Sequence, residues 1–315
     1  MGHIIRKYPL PIAGLILGLA ALGNLVQSYG NIFRNTFGIV AGILLILFIL
    51  KLITYPKQVK EDLNNPVIAS VFPTFSMAIM LLSTYLKPYL STFAFGMWLT
   101  GLAIHIILIL WFSVKFISKF NIKQVFPSWY IVYVGIVIAS VTGNVYGMIT
   151  IGKIAFWFGL TTYIILLYIV LKRVIKVKEL PEPTLPTLAI LAAPASLLLA
   201  GYMNSFSEKN ITLVYILMAL SFIFYVVVLF MLPKLLKLKF YPSYSGFTFP
   251  LVISGIAMKL TNGFLINSNQ AITSLKYLVH FQVILSVLIT LYVLIKYIQF
   301  LISNNPTSSA IGLNK

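Results

Sequence analysis

The side chains that commonly carry catalysis or hold metals are scarce in this sequence and far apart. Its 315 residues include three histidines, five acids and no cysteine. His105 and His280 lie in separate apolar runs, and all five acids fall in predicted loops: Glu61, Asp62, Glu179, Glu182 and Glu208. An enzyme site needs a nucleophile, a base and an acid or metal ligand close together, and no metal-ligand spacing or glycine-rich phosphate loop occurs. We therefore expect no catalytic residue, no metal and no cofactor, with a membrane enzyme as a minor alternative.

The composition is that of a chain whose main partner is the lipid bilayer. Sixty per cent of the residues are hydrophobic and 9% are charged, whereas a soluble domain carries about 25% charged residues. A spanning helix takes about 20 apolar residues. One transmembrane domain over residues 1–315 is therefore predicted, with ten spans near 10–28, 35–55, 66–86, 91–115, 127–146, 152–171, 186–204, 211–232, 243–262 and 274–300.

The basic residues predict how these spans are oriented. The net charge is +18, but the lysines and arginines are scattered between apolar runs, so no nucleic-acid partner is expected. Seventeen of the 23, Lys315 among them, fall on the side that holds the N-terminus, the four longer connections and the C-terminus. The positive-inside rule places this side in the cytoplasm. We therefore predict a protein of the cytoplasmic membrane with both termini in the cytoplasm. An even number of spans likewise requires both termini to lie on one side.

Proline and glycine recur at a spacing that suits a repeated element. Prolines at the start of the odd-numbered spans are separated by 55, 61, 59 and 56 residues: Pro11, Pro66, Pro127, Pro186 and Pro242. Seven or eight residues later each odd span has a second breaker: Gly18, Pro73, Gly135, Pro194 and Pro250. The even spans contain no proline. A fixed period with one helix pair per unit indicates an internal repeat; the alternative is scattered packing prolines, which membrane helices tolerate.

Breaks at one depth on five helices favour a central pathway. A helix break frees backbone carbonyls, which lipid cannot satisfy but a partner helix or a water-filled lumen can. Five hairpins around an axis would place the odd spans inside and make the lumen narrowest at the breakers. The residues before them include two bulky aromatics, Phe72 and Phe249. Hydroxyls that could line the path, or instead join helices, are Thr74, Ser76, Ser140, Ser196 and Ser254. Lys259 could attract anions at the outer mouth or snorkel to the headgroups.

Several of these residues form motifs of a known family. They are Gly14-Leu15 with Gly18-Leu19-Ala20-Ala21-Leu22, Phe126-Pro127-Ser128-Trp129 with Val134-Gly135, and Gly246-Phe247-Thr248-Phe249-Pro250-Leu251. In their order and spacing the chain resembles the tellurite-resistance/dicarboxylate transporter family, which includes bacterial TehA and the slow-type anion channels of plant guard cells. The resemblance implies a quasi-fivefold ring of five helical hairpins, a pore through each protomer, a homotrimer and passage of anions. It also implies that Phe249 plugs the pore.

The expected function is therefore the movement of small anions or organic acids across the membrane through a pore gated by Phe249. No acid lies within a span, which argues against cation-selective acid rings and carboxylate proton relays. The family contains both channels and carriers. A proton-coupled carrier of C4-dicarboxylates or tellurite-type oxyanions thus stays open as the main alternative, and a membrane scaffold without transport as a lesser one.

Overall fold

The computed structural model describes residues 2–303, and within that range the chain is helical, with no β-strand. Nine helices among these residues are long and apolar enough to cross a membrane. The fifth of the ten predicted spans, 127–146, differs from the expectation of one continuous helix. It consists of two short α-helical pieces joined by a 3-10 turn at Gly135–Val137 and followed by a second 3-10 turn at Gly143–Tyr146.

The odd-numbered spans form what we call the inner segments, most of which are built from more than one helical piece. They comprise α2 (Ile12–Val26), α5 and α6 (Pro66–Val71 and Thr74–Leu86), α8 and α9 (Trp129–Tyr133 and Ile138–Thr142), α11 (Ala193–Ser205) and α13 (Thr248–Asn267). A 3-10 helix precedes each of the last two, at Glu182–Ala192 and Pro242–Phe247.

The even-numbered spans form the outer helices, each continuous over its spanning length. They are α3 (Asn31–Thr54), α7 (Ser91–Phe112), α10 (Ile149–Leu171), α12 (Ile211–Leu235) and α14 (Leu275–Ile302). π-Helical turns at Ser113–Ile117 and Lys172–Val177 extend α7 and α10. Because α12 continues to Leu235, Pro233 lies within an outer helix, contrary to the expectation that these helices lack proline. Two short helices, α1 (Gly2–Lys7) and α4 (Pro56–Asp62), complete the chain.

Each inner segment is joined to the next outer helix by a connection of four to seven residues. The two elements therefore run antiparallel as a hairpin, and all the inner segments run in one direction. We call the end with these short connections the hairpin end and the opposite end the terminal end. Lys7 Nζ donates to the Ser303 carbonyl at 2.8 Å, which places both ends of the described chain at the terminal end.

The inner segments contact one another in a closed cycle. α2 packs against α6, α6 against α9, α9 against α11, α11 against α13, and α13 against α2. In the four inner segments long enough to span a membrane by themselves, 61 to 94% of the residues in the spanning window are buried, against 28 to 39% in the outer helices. The outer helices expose large apolar side chains such as Ile39, Leu110 and Phe230. Such a surface suits lipid.

The second breakers lie where one helical form gives way to another, with one exception. α5 ends just before Phe72-Pro73, α8 ends just before Gly135, and Pro194 and Pro250 lie in the first turns of α11 and α13 after their 3-10 helices. Gly18 instead lies within the continuous helix α2. A Cβ at Gly18 would collide with the Thr248 side chain, so this glycine permits close approach of α13 rather than a break.

Candidate functional site

A cavity lies among the inner segments, and together with its opening to solvent it contains about 550 Å³ of space that no atom occupies. Every inner segment contributes to its wall and no outer helix does. The lining residues are Gly14, Leu17, Val71, Thr74, Met77, Tyr130, Ile131, Val134, Gly135, Thr187, Ile190, Ala193, Pro194, Leu197, Ser243, Ser245, Gly246, Phe249 and Pro250. The closed cycle of contacts therefore surrounds a space whose wall is mostly apolar.

The wall of the cavity carries no formal charge. Among the described residues that line it there is no lysine, arginine, histidine, aspartate or glutamate. Three of its hydroxyls donate to main-chain carbonyls near the helix breaks: Thr74 to Val71 at 2.8 Å, Thr187 to Thr184 at 2.6 Å and Ser243 to Pro183 at 2.5 Å. These carbonyl oxygens are therefore covered by hydroxyls. Cation-selective pores replace the hydration shell of the cation with a ring of uncovered carbonyls. These three carbonyls do not form such a ring.

Phe249 is held at the cavity wall by its neighbour Thr248. Thr248 is fully buried, and its hydroxyl lies 3.1 Å from the Gly14 carbonyl of α2 and 2.8 Å from the Ser245 carbonyl. The bond to Gly14 ties the start of α13 to α2, and Gly18 leaves room for the Thr248 side chain. Phe249, 6% exposed, follows directly and precedes Pro250. Sequence reasoning missed Thr248 and Gly14 as residues that position Phe249, although both lie in the motifs quoted above.

The predicted constriction residues are divided between the wall and the surrounding packing. Gly135, Pro194 and Pro250 line the cavity with Phe249, while Gly18, Phe72 and Pro73 do not. The Phe72 ring packs against Phe48 and Phe75, with centroids 6.1 and 6.0 Å away. The other residues that precede breakers and reach the wall are Leu17, Val134 and Ala193. Phe249 is thus the one aromatic among these four.

Of the five hydroxyl residues predicted for the path, Thr74 lies in the cavity wall and the other four lie between helices. Ser76 Oγ is 2.8 Å from His105 Nδ1 of α7, and Ser140 donates to the Gly152 carbonyl of α10 at 2.6 Å. Ser196 Oγ lies 2.7 Å from Ser221 Oγ and 2.9 Å from Ser254 Oγ. These bonds join inner segments to outer helices and to each other.

His105 likewise joins helices. Its Nε2 lies 3.2 Å from the Val132 carbonyl, while Nδ1 faces Ser76, so the buried ring connects α7 to two inner segments. His280 is exposed, and its Nδ1 lies 2.6 Å from the Lys276 carbonyl of its own helix. Within residues 2–303 no group of three or more histidine, aspartate or glutamate side chains is placed to hold a metal ion.

Thr187, Ser243 and Ser245 line the cavity but were not predicted, although the sequence contained a signal for the first two. A serine or threonine directly follows three of the periodic prolines, in Pro127-Ser128, Pro186-Thr187 and Pro242-Ser243. Of these three hydroxyl residues, Thr187 and Ser243 line the cavity, whereas Ser128 does not and its Oγ lies 2.6 Å from Ser70 Oγ. A small hydroxyl after a proline can cover the carbonyls that the proline leaves unpaired.

Comparison with known proteins agrees with this architecture. A family model described as voltage-dependent anion channel (SLAC1) matches residues 8–298, a range that includes every inner segment. An uncharacterized transporter of the archaeon Methanocaldococcus jannaschii is 27% identical over 240 residues, which cover 66% of this chain and 68% of the relative.

Proposed function

Because the chain belongs to the voltage-dependent anion channel family, we propose that small anions or organic acids cross the membrane through the central cavity of this multi-pass membrane protein. The observation that carries the proposal is the wall of the cavity, which all the inner segments form and which holds no charged side chain. A path enclosed by the inner segments leaves the outer helices to face lipid, in keeping with their exposed apolar surface.

The proposal includes ten crossings arranged as a quasi-fivefold ring. The hydrogen bond between Lys7 and Ser303 supports an even number of crossings, because nine would leave these residues at opposite ends. In this proposal the broken segment made of α8 and α9 is the tenth crossing, and its contacts with α6, α10 and α11 would shield it from lipid.

In the proposed orientation the terminal end faces the cytoplasm. The basic residues on that side outnumber those on the other by 17 to 6, and the positive-inside rule then sets the direction. Lys315, one of the 17, lies outside the described residues. Each inner segment would run from the cytoplasm outward, so that its N-terminal, partially positive end faces the cytoplasmic entrance.

Selection of anions over cations follows from what the wall lacks. No acid lies in it, and the hydroxyl of Thr74 covers the carbonyl of Val71, a lining residue whose oxygen would otherwise be free to coordinate a cation. A cation therefore finds little to replace its hydration shell. A proton-coupled carrier would need a titratable relay, and among the lining residues only the phenol of Tyr130 is ionisable.

Phe249 is the proposed gate of this path. A phenyl ring in a narrow apolar lumen blocks both by its volume and by excluding water. Opening then requires the ring to turn aside or the start of α13 to shift, and the bond from Thr248 to the Gly14 carbonyl opposes the second movement. We assign a homotrimer with one path per protomer from the family resemblance, and the mass of the detergent-solubilised particle tests it.

Planar-bilayer recording of the purified protein tests the proposed function. We expect single-channel steps and, in a salt gradient, a reversal potential that shifts toward the equilibrium potential of the anion. A shift toward the cation would overturn the anion selectivity. Saturable flux without steps would support the carrier alternative.

A further inference from the structure

Five of the basic residues at the hairpin end each lie over an aromatic ring of another hairpin, and together with these rings they form what we call the basic girdle. The distances from the cation to the ring centroid run from 4.1 to 5.8 Å, within the range of a cation–π interaction. The pairs are Arg34 on Tyr85, Lys87 on Tyr146, Lys153 on Phe206, Lys209 on Phe264 and Lys259 on Tyr29.

The pairs follow the order of the hairpins around the molecule. In each case the cation belongs to one hairpin and the ring belongs to the next, and Lys259 of the fifth hairpin returns to Tyr29 of the first. The five rings are 56, 61, 60 and 58 residues apart in the sequence. This spacing is close to that of the periodic prolines. The same repeat that places helix breaks around the cavity thus places one cation between each pair of neighbouring hairpins.

The girdle lies where the inner segments would otherwise present negative potential. All of them end at the hairpin end, and the C-terminus of an α-helix carries roughly half a negative elementary charge. Arg34 donates to the Thr84 carbonyl at 3.3 Å, Lys209 to the Phe206 carbonyl at 2.7 Å and Lys259 to the Leu25 carbonyl at 2.9 Å. The carbonyls of Thr84 and Leu25 belong to the last turns of α6 and α2, and that of Phe206 belongs to the residue that directly follows α11. Of the five acids in the chain, only Glu208 lies at this end. Five cations therefore make the potential there positive.

We infer that the basic girdle recruits anions, as halides or as the carboxylates of organic acids, to the mouth of the path at the hairpin end. This inference rests on the proposed function. A ring of half-buried cations is screened less by salt than free surface lysines are. A mouth lined with one sign of charge raises the local concentration of the opposite ion.

Snorkelling to lipid headgroups is the competing role for these residues. A snorkelling lysine extends away from the protein core. Each girdle cation is instead half-buried over a ring of the next hairpin, carried either by the end of its inner segment or by the connection that follows. Lys276, at the same end, behaves differently: it is exposed and lies over Tyr277, its sequence neighbour. The chain thus offers its own control for a basic residue outside the girdle.

The test neutralises Lys87 and Lys153, because within residues 2–303 neither ammonium donates to a main-chain carbonyl. Single-channel conductance is recorded with chloride at about 0.01 M and at about 1 M, concentrations that give Debye lengths of roughly 30 and 3 Å. We expect the Lys87→Gln/Lys153→Gln protein to conduct about threefold less than the parent at low salt. At high salt the two should be equal. Lys276→Gln and Lys153→Arg should match the parent at both concentrations.

A second variant separates charge from packing. Phe264→Leu removes the ring beneath Lys209 and leaves all five cations in place, so it should lower thermal stability while keeping the conductance at low salt. A loss of conductance that is equal at both salt concentrations, or no loss at low salt, would overturn the role of the girdle while the proposed function stands. A parent that carries no anion current would overturn the proposed function and, with it, the recruiting role.

Discussion

The inner segments and the outer helices differ most in where their helical hydrogen bonds are interrupted. Interruptions in the inner segments fall in mid-span, near Pro73, Gly135, Pro194 and Pro250. The outer helices keep continuous ladders, and Pro233, near the terminal end of α12, is the one proline within them in the described chain. Unpaired carbonyls cost several kcal/mol each in lipid. Breaks are therefore confined to the elements that neighbouring helices and hydroxyls cover.

Buried hydroxyls of the inner segments also bond across to neighbouring helices, as Ser196 does with Ser221 and Ser254. Hydroxyls that donate to a carbonyl four residues earlier on the same helix occur in both groups. Thr36 and Thr100 do so in outer helices, and Thr142 and Thr261 do so in inner segments. The bonds between helices, rather than those within one helix, therefore tie the inner segments to their neighbours.

Every inner segment runs from the cytoplasm outward in the proposed orientation. Cysteine labelling tests this orientation with an all-or-none result. The chain has no cysteine, so Ser207→Cys at the hairpin end and Lys176→Cys at the terminal end provide single exposed thiols. In intact cells an impermeant maleimide should label the cysteine at 207 and leave that at 176 unmodified. Labelling of position 176 from outside would reverse the orientation of every segment.

Phe249→Ala should produce the largest change in transport of any inner-segment substitution. Phe249 is the one aromatic residue of the wall that directly precedes a helix breaker. Removing its ring leaves room there for water and a small hydrated anion. We expect conductance to rise roughly tenfold or more, which corresponds to a barrier lower by about 1.4 kcal/mol. Phe249→Leu should be intermediate. Bilayer recordings of the three proteins measure the effect.

Thermal unfolding of the same three proteins separates a gate from a packing residue. A phenylalanine that only packs between helices loses about 3–5 kcal/mol of stability when it is truncated to alanine and opens nothing. A folded Phe249→Ala protein whose conductance equals that of the parent would show that another residue closes the path.

Much of the layered arrangement could be predicted from the sequence, because the periodic prolines mark which helices are interrupted. The residues that face the cavity were harder to predict. Phe72 and Phe249 both precede a breaker, yet the Phe72 ring turns toward Phe48 and Phe75. The direction of a side chain depends on how far its helix rotates in packing, and the spacing of prolines does not encode this. Gly18 was expected to break α2, but glycine keeps its N–H and can continue a helix where proline cannot.

A matched pair of glycine substitutions should sharpen the difference in packing between the two layers. Gly18→Ala places a methyl group against Thr248, and such overpacking costs about 1–3 kcal/mol. Gly96→Ala on α7 meets nothing within 4 Å, so it should leave stability unchanged or raise it by about 0.5–1 kcal/mol through helix propensity. The melting temperatures of the two variants in one detergent measure these effects. An equal decrease in both variants would contradict the assignment of Gly18 to a packed inner segment and of Gly96 to an outer helix.

The smallest expected effects concern two hydroxyls of the inner segments, one between helices and one in the cavity wall. Ser254→Ala removes the bonds from Ser254 Oγ to Ser196 and to the Pro250 carbonyl. It should cost about 0.6–1 kcal/mol of stability and leave the reversal potential unchanged. Thr74→Val keeps the shape of the side chain but uncovers the Val71 carbonyl beside the cavity. Because an exposed carbonyl attracts cations, this change should weaken anion selectivity and shift the reversal potential in a salt gradient toward the cation.

The two substitutions together decide what the inner hydroxyls do. If they serve only to join helices, both variants lose stability and neither changes selectivity. If hydroxyls in the wall keep carbonyls from reaching the lumen, selectivity changes in Thr74→Val alone, because Ser254 does not line the cavity. A shift of the reversal potential in Ser254→Ala would place the path between α11 and α13 instead of at the centre of the inner segments.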